Sequence, residues 1–92
     1  MKIVLNRCYG GFGISDFARE CLGLEDRFIN PDEIRTNESL IQMVECNSEL
    51  VSAPLARLRV IEIPEEATDW YVDDYDGMEE LIYVMNGKLV FA

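Results

Sequence analysis

No histidine occurs among the 92 residues of this sequence. Imidazole is the side chain whose ordinary pKa lies closest to neutrality, so its absence excludes Ser-His-Asp and Cys-His mechanisms within one copy of the chain. Cysteine is sparse and odd in number: Cys8, Cys21 and Cys46 stand too far apart for a CxxC redox pair or a zinc ribbon. They read as reduced, mostly packed thiols, and neither a metal nor another cofactor is expected. Positive charge is scarce, with 8 Lys and Arg against 18 Asp and Glu and a formal net charge of −10. Proteins that bind phosphate backbones gather Lys and Arg to displace counterions, so no direct contact with nucleic acid is expected. No run approaches the roughly 18 consecutive apolar residues that cross a bilayer. The opening MKIVLNRCYGG also lacks the apolar core of a secretory leader. The expectation is a cytoplasmic protein without a membrane partner.

What is present is enough apolar material for one core. Hydrophobic residues make up 49% of the chain, well above a disordered composition, and the length suits a single acidic domain over residues 1–92. Lys2 to Cys8 is a nearly continuous β-branched and apolar run, which predicts an inner strand feeding a glycine turn. Ser15 can cap a helix in which Phe17, Ala18, Cys21 and Leu22 share a side and which Gly23 stops. Phe28 and Ile29 suggest a short strand, and Asn30-Pro31-Asp32 a turn. A second helix follows from a cap at Thr36 or Asn37, buries Leu40, Ile41 and Val44, and ends near Cys46 to Glu49. Leu55 to Ile63 alternates until Val60, where two apolar positions in succession suggest a bulge. Trp70-Tyr71-Val72 reads as a strand, Asp73 to Gly77 as a turn, and Leu81 to Phe91 as a hairpin about Asn86-Gly87, in competition with a helix from Glu79. The predicted class is α+β: two helices on one face of a mixed or antiparallel sheet of four or five strands.

Two segments carry chemistry. In Asn6-Arg7-Cys8-Tyr9-Gly10-Gly11-Phe12-Gly13-Ile14-Ser15 a strand, three glycines and a capped helix have the layout of an anion cradle, with Asn6, Arg7, Gly10, Gly11, Gly13 and Ser15 as anion- or partner-binding candidates. The P-loop lysine is missing and the GxGxxG spacing is not met. The structural alternative is that the glycines permit an unusual turn and close packing while Tyr9 and Phe12 plug the core. Arg7, on the same face of the strand as Ile3 and Leu5, needs a partner there. The expectation is a carboxylate clasp from Arg7 to the Asp73–Gly77 turn.

The second segment, residues 61–80, contains Glu62, Glu65, Glu66, Asp69, Asp73, Asp74, Asp76, Glu79 and Glu80 without one Lys or Arg. An EF-hand register on Gly77 places Val72 and Tyr83 at the anchor positions, so a calcium loop is not matched. Without a visible sugar groove, paired carboxylates give no catalytic assignment either. A one-signed field does attract basic protein surfaces. Trp70, Asp73, Asp74, Tyr75, Asp76, Gly77, Glu79 and Glu80 are the candidates for such a surface, with Trp70 and Tyr75 as aromatic anchors.

The NRCYGGF stretch at the start, Glu38 to Glu45, Leu58 to Pro64 and the Trp70 to Gly77 segment ending in Tyr-Asp-Gly together resemble a family of small uncharacterised proteins of bacteriophages and prophage-bearing bacteria. The family pattern ends in a charged and aromatic tail with His and Arg, where this chain has Met85 to Ala92. The resemblance implies a non-enzymatic accessory protein working by contact with a host or phage protein. One version is an acidic surface that blocks a basic site on a host protein. A small-anion or nucleotide module built on the glycine loop and a small Asp/Glu hydrolase are the alternatives.

Overall fold

The structure, a computed structural model, describes residues 1–24 and 30–92. Strand β1 (Lys2–Asn6) pairs antiparallel with β2 (Leu58–Glu62), from Lys2 opposite Glu62 to Asn6 opposite Leu58. Between them in sequence come helices α1 (Asp16–Cys21), α2 (Pro31–Ile34) and α3 (Glu38–Val51). Strands β3 (Asp69–Tyr75), β4 (Met78–Met85) and β5 (Lys88–Phe91) form a second antiparallel sheet in sequence order. The α+β class stands as expected, but the five strands are divided between two sheets.

That division follows from which faces are buried. Val4 and Leu58 on one side of the β1–β2 ladder pack with Ala18, Leu40, Ile41, Val44 and Val51 of the helices. Ile3 and Leu5 on the other side pack with Leu81, and with Trp70, Val72 and Tyr83, of the second sheet. The short ladder is therefore a middle layer, covered on both faces, which is why Ile3, Val4 and Leu5 are all buried in succession. Each fully buried aliphatic side chain of this kind contributes about 1.5–3 kcal/mol. The same geometry replaces the bulge expected at Val60. The register runs unbroken, and Val60 and Ile61 point to opposite faces that both meet apolar side chains.

Local chemistry sets the ends of the elements. Ser15 caps α1, its Oγ accepting from the Ala18 N–H at 3.1 Å, and Gly23 closes the helix at φ 70°. The predicted turn at Asn30-Pro31-Asp32 is instead the start of α2, since an Asn cap and a proline in the first helical turn serve a helix as well as a turn. The proposed strand at Phe28 and Ile29 lies outside the described residues. Asn37 caps α3, with Oδ1 accepting from the Leu40 N–H at 3.0 Å. The helix breaks at Asn47 (φ −160°, ψ 85°), inside the range where its end was predicted, and resumes to Val51. The acidic turn is shorter than expected, because β3 continues through Tyr75 and only Asp76-Gly77 turns the chain. Both C-terminal hairpins have a residue pair with positive φ, 56° and 93° at Asp76-Gly77 and 52° and 74° at Asn86-Gly87, which suits the right-handed twist of the strands. Among the described residues no helix is long and apolar enough to cross a membrane.

Candidate functional site

The first strand has one edge in the ladder and one edge open. Met1 donates to the Ile63 carbonyl at 3.0 Å and the Arg7 N–H to the Arg57 carbonyl at 2.8 Å, so odd-numbered residues face β2 and even-numbered ones face away. On that open edge the Val4 N–H donates to the Arg35 carbonyl at 2.9 Å, and Arg35 Nη1 donates to the Val4 carbonyl at 3.0 Å. The Asn6 N–H donates to Glu79 Oε1 at 2.8 Å. Arg35 and Glu79 complete the arrangement with a two-pronged pair, Nη1 to Oε1 at 2.8 Å and Nη2 to Oε2 at 2.6 Å. Both side chains are buried, and the guanidinium lies 4.7 Å from the centre of the Phe12 ring. An ion pair thus stands in for a missing neighbour strand, giving partners to the Val4 N–H and carbonyl and the Asn6 N–H, while Arg35 Nε is buried without a hydrogen bond.

Asn6 extends this joint to the glycine loop. Its Nδ2 donates to the carbonyls of Cys8 and Gly77, each at 2.7 Å, while Oδ1 accepts from the Arg57 N–H at 2.8 Å. The loop itself is filled by protein. A Cβ on Gly77 would lie 2.7 Å from the Gly10 nitrogen, and one on Gly10 would lie 2.8 Å from the Leu55 Cβ. Gly10 and Gly11 are thus pressed between Leu55 and the β3–β4 turn, and Gly13 is packed near Ala53. The loop's geometry favours the packing alternative over the anion cradle, and Ser15 heads a helix of only six residues.

Several assignments from sequence change place. Arg7 is exposed and donates from Nη1 to the Glu79 backbone carbonyl at 2.9 Å, not to a carboxylate of residues 73–77. A carboxylate clasp exists, but Arg35 at the end of α2 makes it, because the Glu79 side chain points inward to the open edge of β1. Glu79 therefore leaves the acidic surface, and Gly77 belongs to the packed joint. Trp70 is half-buried against the second core cluster. Phe12 packs on the first cluster as expected, whereas Tyr9 is exposed. Cys8 is half-buried, and Cys21 and Cys46 are exposed free thiols, not packed ones. Among the described residues no group of three or more metal-ligating side chains converges.

Of the remaining candidates, Asp73, Tyr75 and Glu80 lie on the side of the second sheet that faces away from β1. Cross-strand rows there read Asp69-Val84-Leu89, Tyr71-Ile82-Phe91, Asp73-Glu80 and Tyr75-Met78. Large apolar side chains on this side are open to solvent, with Tyr71 50%, Leu89 64%, Phe91 73% and Tyr75 78% exposed. At its lower end Tyr9 joins Asp73, Tyr75, Met78 and Glu80 around a depression of about 300 Å³. The glycine loop and the acidic hairpin do form one surface, through Tyr9. Asp74 and Asp76 are exposed beside it, the Asp74 Oδ1 accepting the Gly77 N–H at 2.8 Å. Alternation in DWYVDDY puts Tyr71 out of phase with the half-buried Trp70, which was the available signal for Tyr71 as the exposed ring.

Tyr71 donates its phenol proton to Asp69 Oδ2 at 3.0 Å. That hydrogen bond, reinforced by the carboxylate's charge, raises the Tyr71 pKa above the ordinary phenol value. An ultraviolet pH titration should show Tyr71 ionising late, and Asp69→Asn should return it toward the ordinary phenol value. A Tyr71 that titrates unchanged in Asp69→Asn would exclude this pairing in solution.

No family model, curated protein or solved structure matches the chain.

Proposed function

We propose that this chain is a non-enzymatic accessory protein of a phage or prophage that acts by protein contact, through the outward side of the β3–β5 sheet. The observation that carries this reading is the combination of exposed Tyr71, Leu89 and Phe91 with Asp69, Asp73 and Glu80 on one uncovered sheet face. Among the described residues no Lys or Arg lies within ion-pair distance of those three acids. Contiguous exposed apolar surface rimmed by polar groups marks interaction sites. The acidic rim selects a basic partner and speeds its approach. In its specific form, the face covers a basic, nucleic-acid-binding site on a host protein. Support for a structural role of the buried pair comes from its bonds, since Arg35 Nη1 and Nη2 are taken up by Glu79 and the Val4 carbonyl and both side chains are buried.

The test is capture of partners from host cells with tagged protein and with Phe91→Ser and Asp69→Asn/Glu80→Gln variants. A specific partner should be retained at low salt by the parent chain, weakened by added salt, and lost from both variants while their melting profiles stay cooperative. A partner held equally well by all three proteins would place the contact elsewhere and overturn this reading.

A further inference from the structure

Within β3–β4 two pairs of carboxylates lie directly opposite one another, Asp74 with Glu79 and Asp73 with Glu80. Like charges in facing positions of a sheet repel, with Cβ atoms only about 4.5–5.5 Å apart. In the first pair the repulsion is answered inside the protein. Arg35 meets Glu79 through two hydrogen bonds and rests on the Phe12 ring. The second pair sits on the opposite side of the sheet, and among the described residues it has no cation within ion-pair distance. Around it stand the rings of Tyr9 and Tyr75 and the side chain of Met78, which together with Asp73 and Glu80 line the depression of about 300 Å³. The outer depression therefore offers the two kinds of group, carboxylate and aromatic ring, with which this fold holds its own buried guanidinium.

We propose that this depression binds an arginine side chain of the partner protein. The proposal rests on the contact reading above and adds the chemical identity of the group recognised. A planar guanidinium fits better than an ammonium, because it donates to two carboxylates in a fixed fork while presenting a flat face to a phenol ring. Both tyrosines are already exposed and the carboxylates already face each other, so the guest gains charge pairing without opening the core.

The experiment is an NMR titration of the full chain with N-acetyl-arginine amide, with N-acetyl-lysine amide beside it. Saturable shifts are expected at Tyr9, Asp73, Tyr75, Met78 and Glu80, weaker for the lysine compound. Affinity should fall about fivefold in Asp73→Asn and about two- to fivefold in Tyr75→Ala. Removing one charge of a repelling pair should also raise the melting temperature of Asp73→Asn, a change that a structural carboxylate would give in the opposite direction. Shifts spread evenly over the acidic residues, an unaltered affinity in Asp73→Asn, or a lowered melting temperature in that variant would each overturn the proposal. The capture experiment reads the contact face independently. A partner lost by Phe91→Ser alongside a failed arginine titration removes the guanidinium site and leaves the contact reading in place.

Discussion

Glu79→Gln is expected to cost about 3–5 kcal/mol of folding stability, because it leaves the buried Arg35 guanidinium without its buried counter-charge, with only the exposed Asp32 carboxylate 3.6 Å from Nε. Glutamine keeps the shape and an oxygen for the Asn6 N–H, so the loss reports charge and not packing. Arg35→Met should fall in the same range, since it strands the Glu79 carboxylate and the Val4 carbonyl together. Replacing both residues by methionine removes the stranded charge and leaves only the Asn6 N–H and Val4 carbonyl open, at about 1–3 kcal/mol each. The double variant should therefore be less destabilised than the sum of the singles. Arg7→Met, by contrast, removes an exposed side chain bonded to one carbonyl and should cost about 0–1 kcal/mol. Urea unfolding of the four variants beside the parent chain gives the comparison. A loss below about 1 kcal/mol in Glu79→Gln would mean that the pair is hydrated in solution and does not close the β1 edge.

The contrast between Arg7 and Arg35 shows where reading the chain by pattern ends. Alternation along Lys2 to Cys8 put Arg7 beside the glycine turn with solvent, a carboxylate or a carbonyl to meet, and of these it takes solvent and the Glu79 carbonyl. The pattern could not say that the Glu79 carboxylate would be met from α2, because that contact joins residues 44 positions apart and depends on which edge of β1 lies open. Elements with a local cause were legible: Ser15 as a cap, Gly23 as a stop, and the Asn86-Gly87 hairpin all follow from side chains acting on their own backbone. The split into two sheets was not, since an apolar run such as Ile3-Val4-Leu5 reads alike in a central strand of one sheet and in a small ladder between two layers. The same limit applies to the surface. Residues 61–80 announce their charge in sequence, but only the cross-strand register separates Glu79, which points inward, from Asp73 and Glu80, which face one another in solvent.

Gly77 and Gly87 provide a controlled measure of how tightly the glycine loop is joined to the second sheet. Each is the second residue of a two-residue hairpin and each has positive φ, 93° and 74°. Alanine in that conformation is strained by about 1 kcal/mol at either site. Around Gly87 nothing lies within 4 Å of an added Cβ, whereas at Gly77 that atom would be 2.7 Å from the Gly10 nitrogen and 3.1 Å from the Gly10 carbonyl carbon. The obstacle is backbone, held in turn by Leu55 behind Gly10 and by the Asn6 bond to the Gly77 carbonyl, so relief requires the loop and the hairpin to separate. Gly87→Ala should then lose only the conformational part, and Gly77→Ala about 1–3 kcal/mol more, the range for forced overpacking. The amide spectrum supplies the second readout: Gly77→Ala should shift residues 6–11 together with 73–79, while Gly87→Ala should disturb only the β4–β5 turn. Equal losses in the two variants, with residues 6–11 unmoved in both, would show that the loop does not rest on the hairpin, and Tyr9 would then have no fixed place beside Asp73, Tyr75 and Glu80.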